Sequence, residues 1–463
     1  MFQVTEEQIN NIAVLDDNGK AYTYGDLEKL KEMYSSCMQE RSLVLVLCDY
    51  NIDTVSFYYC MMELGNVPML LDANLDGALL ENILSYYEPN YIWILKKRLE
   101  QLEMNGNIIK EKEGYVLLSY RSERIEMHPN LGLLLTTSGS TGSPKFVRIS
   151  RQGILHNASV MSRTLKINQM DRAIAALPMY YCYGLSIFHM HWLNGGGMLL
   201  TGKSMLEPSY WQLLEKYQVT NFAAVPFNYD MMLKVGFLEK DFPSLRFITE
   251  GGGKLSEENQ KLFGEALKNK KIDFYICYGQ TEGTTYLSYL SSKKILEKSG
   301  SIGRAIDGMN AVIEDANENG EGELCFVGES VCMGYATKKE DLRLADENHG
   351  RLSTGDIAYT DEEGYIFLRG RKKRFIKMLG KRVNMDEVQN ILNIEFSSCQ
   401  FAVTGNDDSL QIFFTGEGEA KEIKVFCERK FSISRQMVQV RQLEALPFSA
   451  SGKLLYEKLE MSL

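Results

Sequence analysis

The sequence predicts an α/β protein: a large, multi-subdomain N-terminal α/β domain, a β-rich subdomain within it, and a small C-terminal α+β domain. Three observations predict this. From residue 11 to residue 90, short apolar runs alternate with helical patterns, as βαβ units and a mostly parallel sheet require. After Gly300 the texture changes to short strands and turns. Beyond a basic run at 370–377, strands and helices alternate again over roughly 90 residues, an ordinary size for a small domain. A chain of 463 residues can bury a large core and has room for several domains.

Taken in order, residues 42–48 read as a buried strand, 54–64 as a helix and 67–71 as a second strand. An apolar strand then ends at Leu135 and breaks into a segment that is nearly all hydroxyl, glycine or lysine. That is the composition of a loop that holds phosphate. Gly139 and Gly142 let the backbone approach a ligand, while Thr136, Thr137, Ser138, Ser140 and Thr141 offer donors. Pro144 stiffens the exit and Lys145 supplies charge. The spacing is not that of a Walker A loop. The alternative reading of this stretch on its own is a solvated Ser/Gly turn between strands. In open α/β sheets, ligands collect at the carboxyl ends of strands, and this loop occupies such a place.

Residues 173–178 lead into an aromatic cluster, Tyr180, Tyr181 and Tyr183, followed by Gly184. Such clusters line pockets, although core tyrosines at a strand end are an equal reading. Residues 219–226 form a further strand, and 247–250 a strand running into Gly251, Gly252 and Gly253. Three glycines suit either a ligand pressed against the backbone or a tight turn into a helix that Ser256 caps. Residues 272–284 repeat the arrangement: a strand, then Tyr278, Gly279, Thr281 and Glu282. A hydroxyl donor for phosphate beside a hard carboxylate oxygen is what a magnesium-bound phosphate needs. From Gly300, the segments 320–327, 352–356 and 364–370 read as an antiparallel or barrel-like appendage. Asn384 to Glu387 resembles a capping box opening an amphipathic helix that bears Val388, Ile391 and Leu392 on one face. Residues 446–454 close the chain with a polar turn presenting Lys453. No internal repeat or low-complexity segment interrupts this order.

The net charge of −10 argues against a chain whose main task is gripping nucleic acid or anionic membrane. Any polyphosphate must then be met by local lysines and glycine loops. The nine cysteines are scattered, odd in number and never spaced as C-x-x-C, which suits reduced cytosolic thiols. The N-terminus has neither a basic n-region nor an apolar h-region, and no apolar run reaches the roughly 18 residues of a spanning helix. A cytoplasmic protein is expected. His189 and His191 form an i, i+2 pair in apolar surroundings, and core or pocket-lining histidines fit that context better than a metal site.

With these pieces together, the chain resembles the adenylate-forming superfamily of acyl-CoA synthetases, peptide-synthetase adenylation domains and luciferases. The resemblance runs from Ala21 to Lys453. Thr137 to Lys145 matches the phosphate loop without a gap, and Tyr278-Gly-Gln-Thr-Glu282 matches Y-G-x-T-E. Thr354-Gly-Asp356 matches T-G-D, Gly370-Arg371 with Ile376-Lys377 the hinge motif, and Pro447 with Gly452-Lys453 the C-terminal lysine motif. The order of five motifs is more specific than any one of them.

The resemblance implies an N-terminal AMP-binding domain over 1–370, a hinge over 371–374 and a mobile C-terminal domain over 375–463. It implies that the loop from Thr137 to Lys145 embraces the β- and γ-phosphates of ATP and that Glu282 ligates Mg²⁺. Gly251, Gly252, Gly253 and Tyr278 would sandwich adenine, and Asp356 with Arg371 would hold the ribose hydroxyls. Lys373 falls at the hinge position. Lys453 would reach the substrate carboxylate and the α-phosphate, and Gly380, Lys381 and Arg382 would approach the thiol in the second step. Tyr181, Tyr183 and Gly184 fall at the acyl pocket.

The chain departs from the family at three places. Tyr181 is neither the His common in acyl-CoA synthetases nor the Asp of amino-acid-activating domains, which favours an acyl, aryl or hydroxy acid. Ile276 stands where many relatives carry Asn, and Arg374 where an acidic residue is common. The function expected from the resemblance is ATP-dependent activation of a carboxylate to an acyl-adenylate, with transfer to the thiol of CoA. The alternatives are a stand-alone ligase loading the phosphopantetheine of a separate acyl or peptidyl carrier protein, and a non-catalytic nucleotide-binding relative.

Overall fold

The computed structural model describes every residue except 3, 103, 105, 137–144, 379–380, 432, 449–453 and 461–463. The chain forms two compact units, one of Met1–Asn310 with Phe326–Leu352, the other of Ala311–Cys325 with Ser353–Leu463.

The first unit is built on two sheets. In one, the strands run in the order Ser301–Ala305, Ser288–Leu290, Asp273–Tyr278, Phe247–Glu250, Asn221–Ala224, Arg172–Ala175, Gly197–Leu200, Ile12–Asp16 and Ala21–Thr23. The pairs from Asp273–Tyr278 across to Ile12–Asp16 are parallel. The other sheet runs Tyr335–Ala336, Phe146–Ser150, Leu131–Thr136, Val67–Asp72, Leu43–Cys48, Tyr91–Leu95, Tyr115–Ser119 and Asn107–Lys112. Leu43–Cys48 is buried at every position, as expected of a parallel strand covered on both faces.

Helices fill the space between the sheets. Ile52–Glu63, capped by the Asn51 side chain on the amides of Asp53 and Thr54, touches strands of both. Cys182–Leu193 packs on the first sheet, and Arg151–Leu165 packs on the second and against Cys182–Leu193. The first and the last of the helix pair 52–63 and 182–193 are buried almost all round, so their sequences show little amphipathic periodicity. Aromatic contacts join them: Tyr59 meets Trp192 edge-on at 5.1 Å between ring centroids, and Phe2 stacks on Tyr59 at 5.6 Å.

The two histidines of the i, i+2 pair belong to this core. His189 Nε2 is 2.7 Å from the Tyr58 hydroxyl. His191 Nδ1 lies 2.8 Å from the Ile187 carbonyl and Nε2 3.1 Å from the Asn221 amide nitrogen. The carbonyl can only accept and the amide nitrogen only donate, so His191 is neutral with its proton on Nδ1. Burial pushes His189 down to about 3 and His191 to about 4.

Arg148 is a further polar group sunk in the first unit, with 0% of its surface exposed. Its guanidinium donates to the carbonyls of Tyr335 at 3.1 Å, Met333 at 2.8 Å, Leu344 at 2.5 Å and Ala345 at 3.2 Å, and to Glu347 Oε2 at 2.6 Å. Five donors in a rigid fork suit this role; a lysine could not serve so many acceptors.

In the second unit, Arg351–Thr360 pairs antiparallel with Ile366–Arg371, and Asp356 stands opposite Arg371. A 3₁₀ turn at Lys372–Arg374 leads to the antiparallel strands Phe375–Met378 and Lys381–Asn384. Asn384 caps the helix Met385–Glu395 by accepting from the amides of Asp386 and Glu387. That helix buries Val388 and Leu392 in a core shared with Phe401, Phe414 and Ile423 from the sheet Cys399–Gly405, Leu410–Gly416, Val438–Gln442 and the helix Ala420–Phe431. Among the described residues, no helix is long and apolar enough to cross a membrane.

Two predictions follow from this packing. Arg148→Met leaves the buried Met333 carbonyl and three part-buried carbonyls without their donor and lowers the unfolding free energy by about 3 kcal/mol, read as a drop in urea midpoint; an unchanged midpoint would contradict the tie described for Arg148. For the histidines, the unfolded chain protonates near pH 6.5 while the folded chain does not until about pH 4 or 3. The unfolded state therefore binds more protons in that window, so stability is full above about pH 6.5 and is lost as pH falls, by up to about 1.4 kcal/mol per pH unit for each histidine. Urea titrations between pH 6.5 and 5 should show a shallower loss for His189→Gln than for the parent, and equal slopes would refute the assignment.

Candidate active site

The described residues that the sequence singles out in the first unit gather at the carboxyl ends of its strands. Thr136 ends the strand Leu131–Thr136 and pairs with Phe146 on the antiparallel strand that follows. The hydroxyl and glycine residues Thr137, Ser138, Gly139, Ser140, Thr141 and Gly142 lie outside the described residues; Lys145 closes the connection.

Lys145 Nζ sits 3.4 Å from the centroid of the Tyr335 ring. The Tyr335 hydroxyl donates to Glu282 Oε1 at 2.8 Å. One side chain thus links the lysine of the phosphate-loop motif to the carboxylate of the Y-G-x-T-E motif. Burial, reinforced by the Glu282 charge, pushes the Tyr335 phenol up, so it acts as a donor at neutral pH. Tyr335 is held here by its backbone: Tyr335–Ala336 pairs with Val147 and Phe146, and its carbonyl accepts from Arg148.

The Y-G-x-T-E segment is held by close approach and by strain. A Cβ on Gly279 would stand 1.6 Å from the Thr285 carbonyl oxygen, so no other residue fits there. Thr281 is buried, with its hydroxyl 3.5 Å from Cys182 Sγ, and Glu282 is half-buried in the 3₁₀ turn Thr281–Gly283. Thr284 follows with φ 65° and ψ −51°, and the Thr285 amide donates to the Gly283 carbonyl at 2.7 Å. This is a γ-turn centred on a β-branched residue, a strained conformation. The Thr284 hydroxyl secures it with a 2.6 Å bond to the Ser330 carbonyl. Tyr278 is half-buried and stacks on Phe326 at 6.1 Å between centroids.

The glycine turn after Phe247–Glu250 is packed by the chain's own side chains. Gly252 has φ +81°, and a Cβ there would meet the Tyr181 hydroxyl at 2.4 Å. A Cβ on Gly251 would meet the Tyr183 ring at 3.1 Å, and one on Gly253 the Pro226 ring at 2.9 Å. Gly184 lies in the helix Cys182–Leu193 just past Tyr181, and Tyr183 bonds through its hydroxyl to Thr249 Oγ1 at 2.7 Å. Tyr181, Tyr183, Gly184 and the three glycines are therefore brought together. Just before the turn, Glu250 is 1% exposed and neither of its carboxylate oxygens has a hydrogen-bond partner. Burial pushes its carboxyl well above the usual range.

In the second unit, Asp356 Oδ1 accepts from Arg371 Nε at 2.9 Å across the antiparallel pair. The aspartate is 7% exposed at its side chain and the arginine 60%, so the carboxylate is fixed from one side. Lys373 is exposed in the 3₁₀ turn. Arg374, where an acidic residue is common in the family, is bound within this unit: its Nε lies 2.7 Å from Asp386 Oδ1, its Nη1 donates to the Val403 carbonyl at 2.6 Å, and it stacks over Tyr456. Lys381 and Arg382 belong to the strand Lys381–Asn384. Gly380 and Lys453 lie outside the described residues.

Among the described residues, no group of three or more His, Cys, Asp and Glu side chains could enclose a metal ion. Glu282 offers one carboxylate, one oxygen of which keeps a bond to Tyr335. A single protein carboxylate fits magnesium, which takes its remaining ligands from water and phosphate.

The sequence reading missed Tyr335, Thr284 and Glu250. Glu250 had a visible signal, a lone acid in an otherwise apolar strand end. Tyr335 stands 53 residues from Glu282 in the chain, and only the strand pairing brings the two together.

A family model described as "AMP-binding enzyme" matches residues 2–336. The 4-coumarate-CoA ligase 1 of Narcissus pseudonarcissus is 27% identical over 364 residues, 73% of this chain and 66% of the relative. The 2-succinylbenzoate–CoA ligase of Listeria monocytogenes serotype 4b is 28% identical over 334 residues, 71% of this chain and 69% of the relative. The matched stretch thus spans about two-thirds of these relatives' lengths. The o-succinylbenzoate CoA synthetase of Bacillus subtilis, in complex with the acyl-adenylate OSB-AMP, shares the fold with a TM-score of 0.76 at 22% identity, over 97% of this chain and 95% of that one. Its complex with ATP and magnesium ion gives 0.72 at 21% identity, over 97% of each. With the family match extending over well more than half of its length, the chain belongs to the AMP-binding enzyme family.

Proposed function

We propose that the chain is an acid–thiol ligase that activates a small carboxylic acid with ATP, forming an acyl-adenylate and pyrophosphate, and then transfers the acyl group to the thiol of CoA. The observation that carries this reading is the Lys145–Tyr335–Glu282 link, which sets a cation and a carboxylate together at the strand ends, next to Thr281. The ligase names of the relatives support the reaction class, and the adenylate and ATP–magnesium complexes of the Bacillus enzyme support the order of steps.

A carboxylate is a weak nucleophile approaching a polyanion, so catalysis rests on charge neutralisation and alignment. Magnesium, when bound, would offset phosphate charge, with Glu282 as its protein ligand. Lys145 and the donors from Thr137 to Thr141 would bind the β- and γ-phosphates. Gly251 to Gly253 and Tyr278 would hold adenine, and Asp356, steadied by Arg371, would accept from the ribose hydroxyls. Lys453 would neutralise the oxygens that gather charge as the carboxylate oxygen bonds to the α-phosphorus and the bond to pyrophosphate breaks. In the second step the thiol sulfur bonds to the acyl carbon and AMP leaves, with Gly380, Lys381 and Arg382 on the approach. The reading includes a reorientation of 375–463 about the 371–374 hinge, with Lys373 in it, between the two steps.

The test is carboxylate-dependent pyrophosphate release from Mg-ATP over alkanoic, aromatic, hydroxy and amino acids, with and without CoA. Release with some acid and a matching acyl-CoA product is expected. Release with acyl-adenylate accumulating despite CoA would instead direct the acyl group to a carrier-protein phosphopantetheine, and silence across the panel would refute the ligase. Lys453→Ala should abolish adenylation while sparing thiol transfer from preformed adenylate; adenylation at the parental rate would remove Lys453 from the mechanism. Tyr335→Phe removes the bond that orients Glu282 and should weaken magnesium dependence about 10–100-fold, the range seen when a group supporting a metal ligand is lost. A magnesium titration at saturating acid reads this, and an unchanged half-saturation point would leave Tyr335 without that role.

A further inference from the structure

The helix Arg151–Leu165 starts directly after the strand Phe146–Ser150 and carries Gly153, His156 and Asn157 on one face. That face grips the segment that follows Glu282. Asn157 is buried and bonds both backbone groups of Tyr286: its Oδ1 accepts from the Tyr286 amide at 3.2 Å, and its Nδ2 donates to the Tyr286 carbonyl at 2.7 Å. The same Nδ2 lies 3.0 Å from the Ser330 hydroxyl oxygen, and His156 Nδ1 lies 2.9 Å from it. Ser330 is fully buried, and its carbonyl accepts from the Thr284 hydroxyl at 2.6 Å. Two residues further on, the Cys332 amide donates to the Glu282 carbonyl at 2.8 Å. Glu282, Thr284 and Tyr286 are thus each bound, at alternate positions, by residues from elsewhere in the chain. Gly153 completes the fit, since a Cβ there would stand 3.1 Å from the Thr284 hydroxyl oxygen.

Packing alone does not call for this arrangement. Thr284 takes φ 65° at the centre of its γ-turn, a conformation that glycine adopts freely and a β-branched residue does not. A chain needing only the turn would be better served by glycine; threonine adds the hydroxyl that ties the turn to Ser330. Resting on the ligase reading, we infer that Thr284, Ser330 and Asn157 are positioning residues, which lock the backbone carrying Glu282 to the helix that continues the strand leaving the phosphate loop. Glu282 is then held twice, its carboxylate by Tyr335 and its backbone by this network. The purpose follows from the metal. Magnesium tolerates little departure from octahedral geometry, and in this reading one protein carboxylate and the phosphates share it. Glu282 and the strand leaving the phosphate loop must therefore keep one separation before nucleotide arrives. A strained turn tied to the helix keeps it, whereas a relaxed turn free of the helix would let it drift.

The experiment uses the full chain and four variants. Thr284→Val keeps the shape and loses the hydroxyl, Thr284→Ser keeps the hydroxyl, Thr284→Gly takes the turn without strain, and Ser330→Ala cuts the link to Asn157 while leaving the carbonyl at 330. Calorimetric magnesium titrations of ATP binding, without any acid, read the half-saturating metal concentration; ATP binding in EDTA reads the nucleotide site alone, and urea midpoints read folding. Thr284→Val should raise the half-saturating magnesium about 10–100-fold, the range for loss of a group supporting a metal ligand, with ATP affinity in EDTA within about twofold of the parent. Ser330→Ala should shift it in the same direction by less, and Thr284→Ser should restore the parental value. Thr284→Gly should share the metal defect of Thr284→Val yet unfold at a higher urea concentration than that variant, because glycine takes the turn without strain. A parent that binds no ATP with magnesium removes the ligase reading and the inference together. The inference alone falls if the metal midpoint is unmoved in Thr284→Val or Ser330→Ala, or if Thr284→Ser fails to restore it. It also falls if ATP binding in EDTA or the fold itself is lost with the Thr284 hydroxyl, which would make the bond structural, or if Thr284→Gly is no more stable than Thr284→Val.

Discussion

The Arg148 guanidinium is the constraint on which the site in the first unit depends. Buried without solvent contact, it holds the carbonyls of Met333, Tyr335, Leu344 and Ala345 from a segment nearly two hundred residues away. Arg148 lies three residues past Lys145, on the strand that pairs with Tyr335–Ala336. One side chain therefore fixes the register that sets the Tyr335 ring over Lys145 and its hydroxyl on Glu282. The cost of burying a guanidinium is offset by the number of acceptors it satisfies, and a segment that would otherwise be a surface loop becomes part of a site.

The same economy appears around the Y-G-x-T-E segment. Thr284 holds a strained γ-turn because its hydroxyl reaches the Ser330 carbonyl and its neighbour's amide closes on Gly283. Gly279 lets the Thr285 carbonyl approach to where a side chain would stand. Strain of this kind persists only where surrounding contacts over-determine it, and here they fix the direction in which Thr281 and Glu282 point.

Much of this architecture was legible in the sequence. Alternating apolar runs announced the parallel strands, because a strand buried on both faces has no polar residues to hide. The strand-end motifs were legible because glycine and hydroxyl residues at such places have few structural reasons to exist. The helices Ile52–Glu63 and Cys182–Leu193 were harder to read, since burial all round erases amphipathic period. The T-G-D motif, read as part of an antiparallel appendage, lies inside the ten-residue strand Arg351–Thr360, with Asp356 opposite Arg371 on the antiparallel partner. Tyr335 was invisible for a different reason: its significance lies in its contact with Glu282, 53 residues away in the chain, and no local pattern encodes that.

All nine cysteines are free thiols, and eight of them are buried. Burial pushes Cys277 well above its ordinary range, Cys332 up to about 11 and Cys427 up to about 12. Cys277 and Cys182 stand near the residues proposed for the acyl pocket: the Cys277 carbonyl approaches Gly251, and Cys182 Sγ lies 3.5 Å from the Thr281 hydroxyl. The thiolate is the nucleophile, and a thiol held protonated by an apolar shell is inert. For the proposed ligase, a thiol held in the manner of Cys277 is a poor competitor for the activated acyl group beside one that arrives from outside, exposed to water and free to ionise.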